Sequence, residues 1–197
     1  IDPMNPNGYH IKGFIYLDAG DTTKAVSSFR TAIEVNPDFY ESYVMLGKIF
    51  ASKNHSFAGN YYDQALRIKP HSIEALYDKG VYLQDIENYT EAYSIYDTII
   101  AVDSTSYFAY YNRGYIMLVS DSSYNGAIRE FEKSIKYYPY YYQAYYNIGL
   151  CYENMDDYDK AREYYQKSLD LNKQYDLAAK GLGRLLKQSS TGKKPHS

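Results

Sequence analysis

Apolar and polar positions along this chain recur with the period of an α-helix. In Tyr145–Tyr152 they fall at i, i+3, i+4 and i+7 (Tyr145, Ile148, Gly149, Tyr152), and in the next segment Ala161, Tyr165 and Ser168 keep the same face. A polar turn, Met155–Asp159, separates the two, and its aspartates offer N-cap side chains to the second helix. The pattern predicts two consecutive amphipathic helices and no strand.

The pair is one copy of a repeat. Gly13, Gly47, Gly80, Gly114, Gly149 and Gly183 are spaced 34, 33, 34, 35 and 34 residues apart. Ala25, Ala58, Ala92, Ala127 and Ala161 follow in step, at 33, 34, 35 and 34. Two residue types sharing one drifting period mark internal duplication. Pro37, Pro70 and Pro139 follow second helices, where proline stops a helix or starts a connection. Each glycine costs about 1 kcal/mol against alanine within a helix. It persists if two helices approach so closely that a Cβ would clash, with the alanine meeting it from the other side. Rings at the fourth place of the first helix (Tyr9, Tyr43, Tyr110, Tyr145) and four residues after each alanine (Phe29, Tyr62, Tyr96, Phe131, Tyr165) fill the wider space.

With Y-V-M-L-G-K-I-F at Tyr43–Phe50 and A-V-S-S-F at Ala25–Phe29, the unit resembles the tetratricopeptide repeat family over about residues 6–188. The resemblance implies an all-α fold: a right-handed α-α superhelical solenoid of five helix pairs (6–39, 40–72, 73–106, 107–141, 142–175) with a C-terminal capping helix at 176–188. The cap's inward set would be Ala178, Ala179, Leu182, Leu185 and Leu186, with Gly183 continuing the glycine series and Lys180, Arg184 and Lys187 outside. Residues 1–5 read as the end of a preceding repeat or a trimmed linker, because Ile1-Asp2-Pro3 has the type of Val35-Asn36-Pro37. Residues 189–197 read as a mobile tail.

Some positions depart from the family pattern. Tryptophan is absent from the fourth place, and Lys12, Lys79 and Arg113 replace the leucine before glycine, their stems covering the core while the charges reach water. One turn is a residue short (Lys53–Phe57) and one a residue long (Ser120–Asn125), which should alter turns and leave the stacking intact.

Charge and chemistry narrow the function. With 21 Lys+Arg against 24 Asp+Glu there is no basic footprint for nucleic acid. The apolar runs are too short for a membrane span. The four histidines (His10, His55, His71, His196) lack metal-ligand spacing. Asp156, Asp157 and Asp159 lack the glycine and distal glutamate of an EF-hand and read as caps. Gly181-Leu182-Gly183 lies in a helix and reads as packing, and Cys151 as a buried structural thiol. Asn54-His55-Ser56 and Asn88-Tyr89-Thr90 are formal glycosylation sequons of little weight. The expectation is a non-enzymatic protein with no cofactor and no metal.

The abnormal number is 28 tyrosines without a tryptophan. Eleven sit at recurrent core places (Tyr9, Tyr16, Tyr43, Tyr62, Tyr89, Tyr96, Tyr110, Tyr145, Tyr152, Tyr158, Tyr165). The resemblance places the second, fifth, ninth and twelfth residues of each first helix on a concave groove. That selects Tyr77, Phe108, Tyr111, Tyr115 and Tyr146 as an aromatic stripe, accompanied by Leu150, Glu74, Gln143, His10 and Phe14. The run Tyr137–Tyr142 reads either as a sticky lip or as turn filler. Some family members clamp an acidic C-terminal carboxylate with Lys, Asn and Arg. Here the clamp positions hold His10 and Phe14, then Met45, then Glu74 and Asp78, so that activity is not expected.

These features point to an interaction scaffold holding an extended peptide or a partner helix. The alternatives are self-association through repeat ends, giving a homo-oligomer, or the adaptor part of a longer protein. Export to a bacterial periplasm or envelope after signal removal and a cytoplasmic location both fit the polar repeats and low cysteine use.

Overall fold

The structure is a computed structural model and describes residues 4–53 and 56–190, the last three as backbone only. Asn54 and His55 of the first sequon, His196, residues 1–3 and residues 191–197 of the expected tail lie outside the described residues. The described residues form α-helices joined by short turns, without a strand. The helices are α1 (Pro6–Asp18), α2 (Thr22–Val35), α3 (Tyr40–Ala51), α4 (Phe57–Ile68), α5 (Ile73–Asp85), α6 (Tyr89–Val102), α7 (Tyr107–Val119), α8 (Tyr124–Tyr137), α9 (Tyr142–Asn154), α10 (Tyr158–Leu171) and α11 (Asp176–Ser190). Two compact units divide at Val102 and Asp103: α1–α6 and α7–α11. Within each unit a helix packs on its sequence neighbour, and alternate helices also meet, α3 with α5, α7 with α9 and α9 with α11. This is an all-α helical repeat solenoid.

The turns show how length variation is absorbed. Inside three repeats one residue takes a left-handed conformation, Gly20 (φ 75°), Glu87 (φ 59°) or Asp156 (φ 61°). The next N–H then bonds back five residues: Asp21 to Tyr16 O at 2.8 Å, Asn88 to Leu83 O at 2.8 Å, Asp157 to Tyr152 O at 2.9 Å. In the longer turn Ser122 takes that conformation (φ 49°) and Ser123 N reaches Met117 O at 2.9 Å, one residue further. The residue closing the turn then caps the next helix. Asp21 accepts from Lys24 N at 3.0 Å, and Asp157 from Lys160 N at 3.2 Å. At the opposite end, Asn36, Lys69 and Tyr138 leave their helices with φ of −135°, −127° and −134°, outside the α region that the following proline disfavours.

The core repeats one contact. Ala25, Ala58, Ala92, Ala127 and Ala161 are fully buried, and so are Phe29, Tyr62, Tyr96, Phe131 and Tyr165. Each of these rings fills the notch left by the facing glycine. A Cβ on Gly149 would fall 2.7 Å from the Tyr165 ring and 3.2 Å from the Ala161 carbonyl oxygen. The cap keeps the repeat register: Ala178, Leu182 and Leu185 stand 34 residues after Ala144, Ile148 and Cys151 and turn inward as they do. Its notch is Gly181, where a Cβ would come within 2.6 Å of the other edge of Tyr165, whereas Gly183 has no atom within 4 Å. Ala178, Gly181, Leu182 and Leu185 face inward, whereas Ala179, Gly183 and Leu186, the equivalents of Tyr145, Gly149 and Tyr152, lie on the side where α10 packs on α9 and where no described helix packs on α11.

Tyrosine use also differs in detail. Tyr40 and Tyr82, outside the eleven core positions, are buried, whereas Tyr9, Tyr16, Tyr43, Tyr89, Tyr145, Tyr152 and Tyr158 are half-buried. The ammonium of Lys79 ends on carboxylates, Asp63 at 2.9 Å and Glu91 at 2.8 Å, with its stem over the core.

Gly149→Ala should lose about 1–3 kcal/mol in urea unfolding, because overpacking outweighs its gain in helix propensity. Gly183→Ala, in open space, should gain up to about 1 kcal/mol.

Candidate functional site

In the second unit the first-helix faces of α7 and α9 carry Phe108, Tyr111, Tyr115, Leu118, Gln143, Tyr146, Leu150 and Glu153 at the second, fifth, ninth and twelfth places. Their roles separate by place. The fifth-place ring is a wedge between repeats. Tyr111 lies 5.6 Å from Phe131 and 4.8 Å from Tyr141, the residue just before α9. Tyr146 lies 5.6 Å from Tyr165 and 5.5 Å from Tyr175, the residue just before α11. In the first unit His10 does the same between Phe29 and Phe39, each 5.3 Å away. Tyr111 also accepts a hydrogen bond from Asn147 Nδ2 at 3.1 Å.

The ninth place is open. Tyr115 is 39% exposed and Phe14 40%. Leu150 is half-buried, and Leu118 is buried with Phe131 in the core. Gln143 Oε1 is buried without a hydrogen-bond partner among the described residues. Phe108 lies edge-on to Tyr107 at 5.7 Å. The run Tyr137–Tyr142 divides: Tyr140 is 69% exposed, whereas Tyr141 packs on Tyr111, and Tyr142 lies 4.8 Å from Tyr175.

The twelfth place serves the core ring. Tyr165 donates to Glu153 Oε2, and Tyr96 donates to Gln84 Oε1. Where the ring is phenylalanine, Phe29 or Phe131, the twelfth residue is Leu17 or Leu118, packed into the same cluster. Glu153 is further tied to the cap by Arg184, whose Nε and Nη2 donate at 2.9 and 2.7 Å. Burial alone would push the Glu153 carboxyl up, but the Arg184 and Tyr165 hydrogen bonds override it and hold it below the usual carboxylate range.

Sequence reasoning missed Tyr175, Asn147 and Arg184 as members of this arrangement. Tyr175 lies outside the first helices, set by an Asx turn in which Asn172 Oδ1 accepts from Gln174 N at 3.1 Å. A signal was present: Phe39, Tyr141 and Tyr175 all stand one residue before a first helix, and the last two are 34 apart. The Tyr111 hydroxyl shares its surroundings with those of Tyr175, Tyr115 and Tyr146. Burial first, then Tyr175, Tyr115 and Tyr146, push Tyr111 up to about 12, against the stabilising Asn147 bond. Burial, then Tyr146 and Tyr142, push Tyr175 up to about 12.

The first unit differs in chemistry. Glu74 is spent on Lys48 Nζ at 2.8 Å, which also reaches Asp78 at 3.2 Å. Burial raises the Asp78 carboxyl, and Lys48 opposes it. His10 shares a 2.9 Å hydrogen bond with Ser42, and burial lowers its pKa against the pull of Glu41. Tyr77, on α5, is 37% exposed. The structure thus gathers Tyr111, Tyr115 and Tyr146 with Tyr175 in one unit, and leaves Tyr77, Glu74, His10 and Phe14 in the other. Among the described residues no group of His, Cys, Asp and Glu is arranged to hold a metal ion, and no helix is long and apolar enough to cross a membrane. Cys151 is buried, and burial pushes its thiol up to about 12.

The tetratricopeptide repeat family models match residues 6–39 and 142–175. Tetratricopeptide repeat protein 6 of Homo sapiens is 26% identical over 94% of this chain. This chain spans 36% of that protein's length and the same share of a repeat-containing protein of Methanocaldococcus jannaschii. The crystal structure of MamA protein superposes with a TM-score of 0.75 at 25% identity, covering 86% of this chain and 92% of MamA. YrrB, described as a protein of this class with an unusual peptide-binding site, shares the fold with a TM-score of 0.72 at 19% identity, covering 91% of this chain and 92% of its own. The two matched repeats, the relatives and the fold together support a tetratricopeptide repeat protein.

Alkaline titration checks the tyrosine cluster. Raised folded-state values add stability that is complete below about pH 10, the unfolded tyrosine value, and is lost as pH rises toward 12. The urea midpoint should therefore fall between about pH 10 and 12, and Tyr111→Phe should flatten the fall.

Proposed function

We propose that the chain is a non-enzymatic protein-interaction scaffold. It holds an extended peptide or partner helix against the tyrosine-lined first-helix face of the second unit. The observation that carries this reading is the cluster of Tyr115, Tyr146 and Tyr175 on rigid, wedge-packed supports, with Tyr115 open to solvent. Tyrosine gives large contact area at small rotamer cost and ends in a polar group, the property that enriches it at binding surfaces. YrrB, which shares the fold and is described as having an unusual peptide-binding site, supports this reading.

Screening the full chain against an arrayed random-peptide library, beside Tyr115→Ala and Tyr146→Phe variants, tests the reading. Tyr115 is exposed enough for its truncation to leave the fold intact. Selected peptides should bind Tyr115→Ala about tenfold or more weakly. Peptides that bind both variants as well as the parent would move the site elsewhere.

A second reading, self-association, is favoured by the terminal helices. The tenth place is buried at Ile49, Tyr82 and Cys151, but its counterpart Ile15 on α1 is 60% exposed, with Ile11 beside it at 59%. On α11, Leu186 is 59% exposed. If these faces pair copies of the chain, sedimentation should show a mass that rises with concentration and reverts in Ile15→Lys. A monomer throughout would exclude it.

A further inference from the structure

The site on the second unit is selective in its hydrogen-bonding character. Among the described residues the hydroxyls of Tyr115, Tyr146 and Tyr175 make no hydrogen bond to protein, and Tyr111, accepting from Asn147, keeps its own proton to give. The face therefore offers several donors on aromatic rings. At the groove places of α7 and α9 the one charged residue, Glu153, is paired with Arg184 of α11. The buried Gln143 acceptor is not displayed. The corresponding face of the first unit is the reverse, its charges Lys48, Glu74 and Asp78 paired with each other.

We infer that the ligand of the second unit is a proline-rich segment in the polyproline II conformation. The inference rests on the groove reading above and names its partner class. Such a segment is poor in N–H donors and displays carbonyl acceptors with no internal hydrogen bonds, so its needs match a face of unspent hydroxyls. Its compact pyrrolidine rings pack on aromatic faces, and its preformed backbone loses little entropy on docking. On α7 and α9 a charged ligand would find no free counter-charge. The length also fits: α7, α9 and α11 at roughly 10 Å spacing present about 20 Å, the span of about six polyproline residues.

Isothermal titration of the full chain with a capped peptide of about nine prolines, and with an equally long capped alanine–glutamine peptide, tests it. The proline peptide should bind about tenfold more tightly. Tyr115→Phe and Tyr175→Phe keep the rings and remove one hydroxyl each, and each should weaken proline binding about three- to tenfold. Equal or tighter binding of the alanine–glutamine peptide overturns the proline preference, and so does proline binding indifferent to both phenylalanine variants. If neither peptide binds while library-selected peptides still depend on Tyr115, the proline inference fails and the groove reading stands. If selected peptides also ignore Tyr115→Ala, the groove reading itself fails.

Discussion

Everything in this protein hangs on an aromatic ring seated in a glycine notch. The ring comes from the second helix of each repeat and the notch from the first. A missing Cβ lets the two backbones approach until ring and helix touch, and no other residue type can supply that space. Because the ring is fully buried, its outer atoms decide what else is needed nearby. Beside phenylalanine the twelfth place is leucine, Tyr96 and Tyr165 give their protons to Gln84 and Glu153 there, and in the repeat of Tyr62 the place is Ala51. One contact thereby sets helix separation, helix rotation and the polarity of a neighbouring position. At α11 a second glycine, Gly181, meets the same Tyr165 ring from the following helix.

The fold was legible in the sequence because its determinants are local and repeated. Glycine, alanine and ring spacing survive any single departure, and the turns confine length changes to residues that carry little packing. The candidate site was legible in part. First-helix places select Tyr111, Tyr115 and Tyr146, but cannot tell a wedge from a displayed ring, because that depends on the residue preceding the next helix. Tyr175, from a connection, closes the cluster, and Phe39 converts His10 from a candidate ligand group into packing. Glu74 looked available on the same logic, yet Lys48 from another helix occupies it. Residues whose role is fixed by a partner some 30 positions away were the ones misjudged.

The two units use one scaffold for opposite surface chemistry. In the first, carboxylates and lysine on the first-helix face satisfy each other, as solvent-exposed pairs do at small energetic gain. In the second, charge is withdrawn and phenol groups remain. Neither choice alters the glycine notch, so surface and core vary separately from place to place along the same helix. That separation lets a repeat family keep its fold while its binding preferences diverge.

Tyr165 is shared by two notches, Gly149 before it and Gly181 after it, and its hydroxyl and Arg184 meet on one carboxylate. A terminal helix ordinarily frays, opening locally at small free energy. Here α11 cannot lift away without uncovering a ring that also belongs to the preceding pair. Its opening is thus bound to the opening of α9 and α10, and those three helices should exchange their amide hydrogens as one cooperative block.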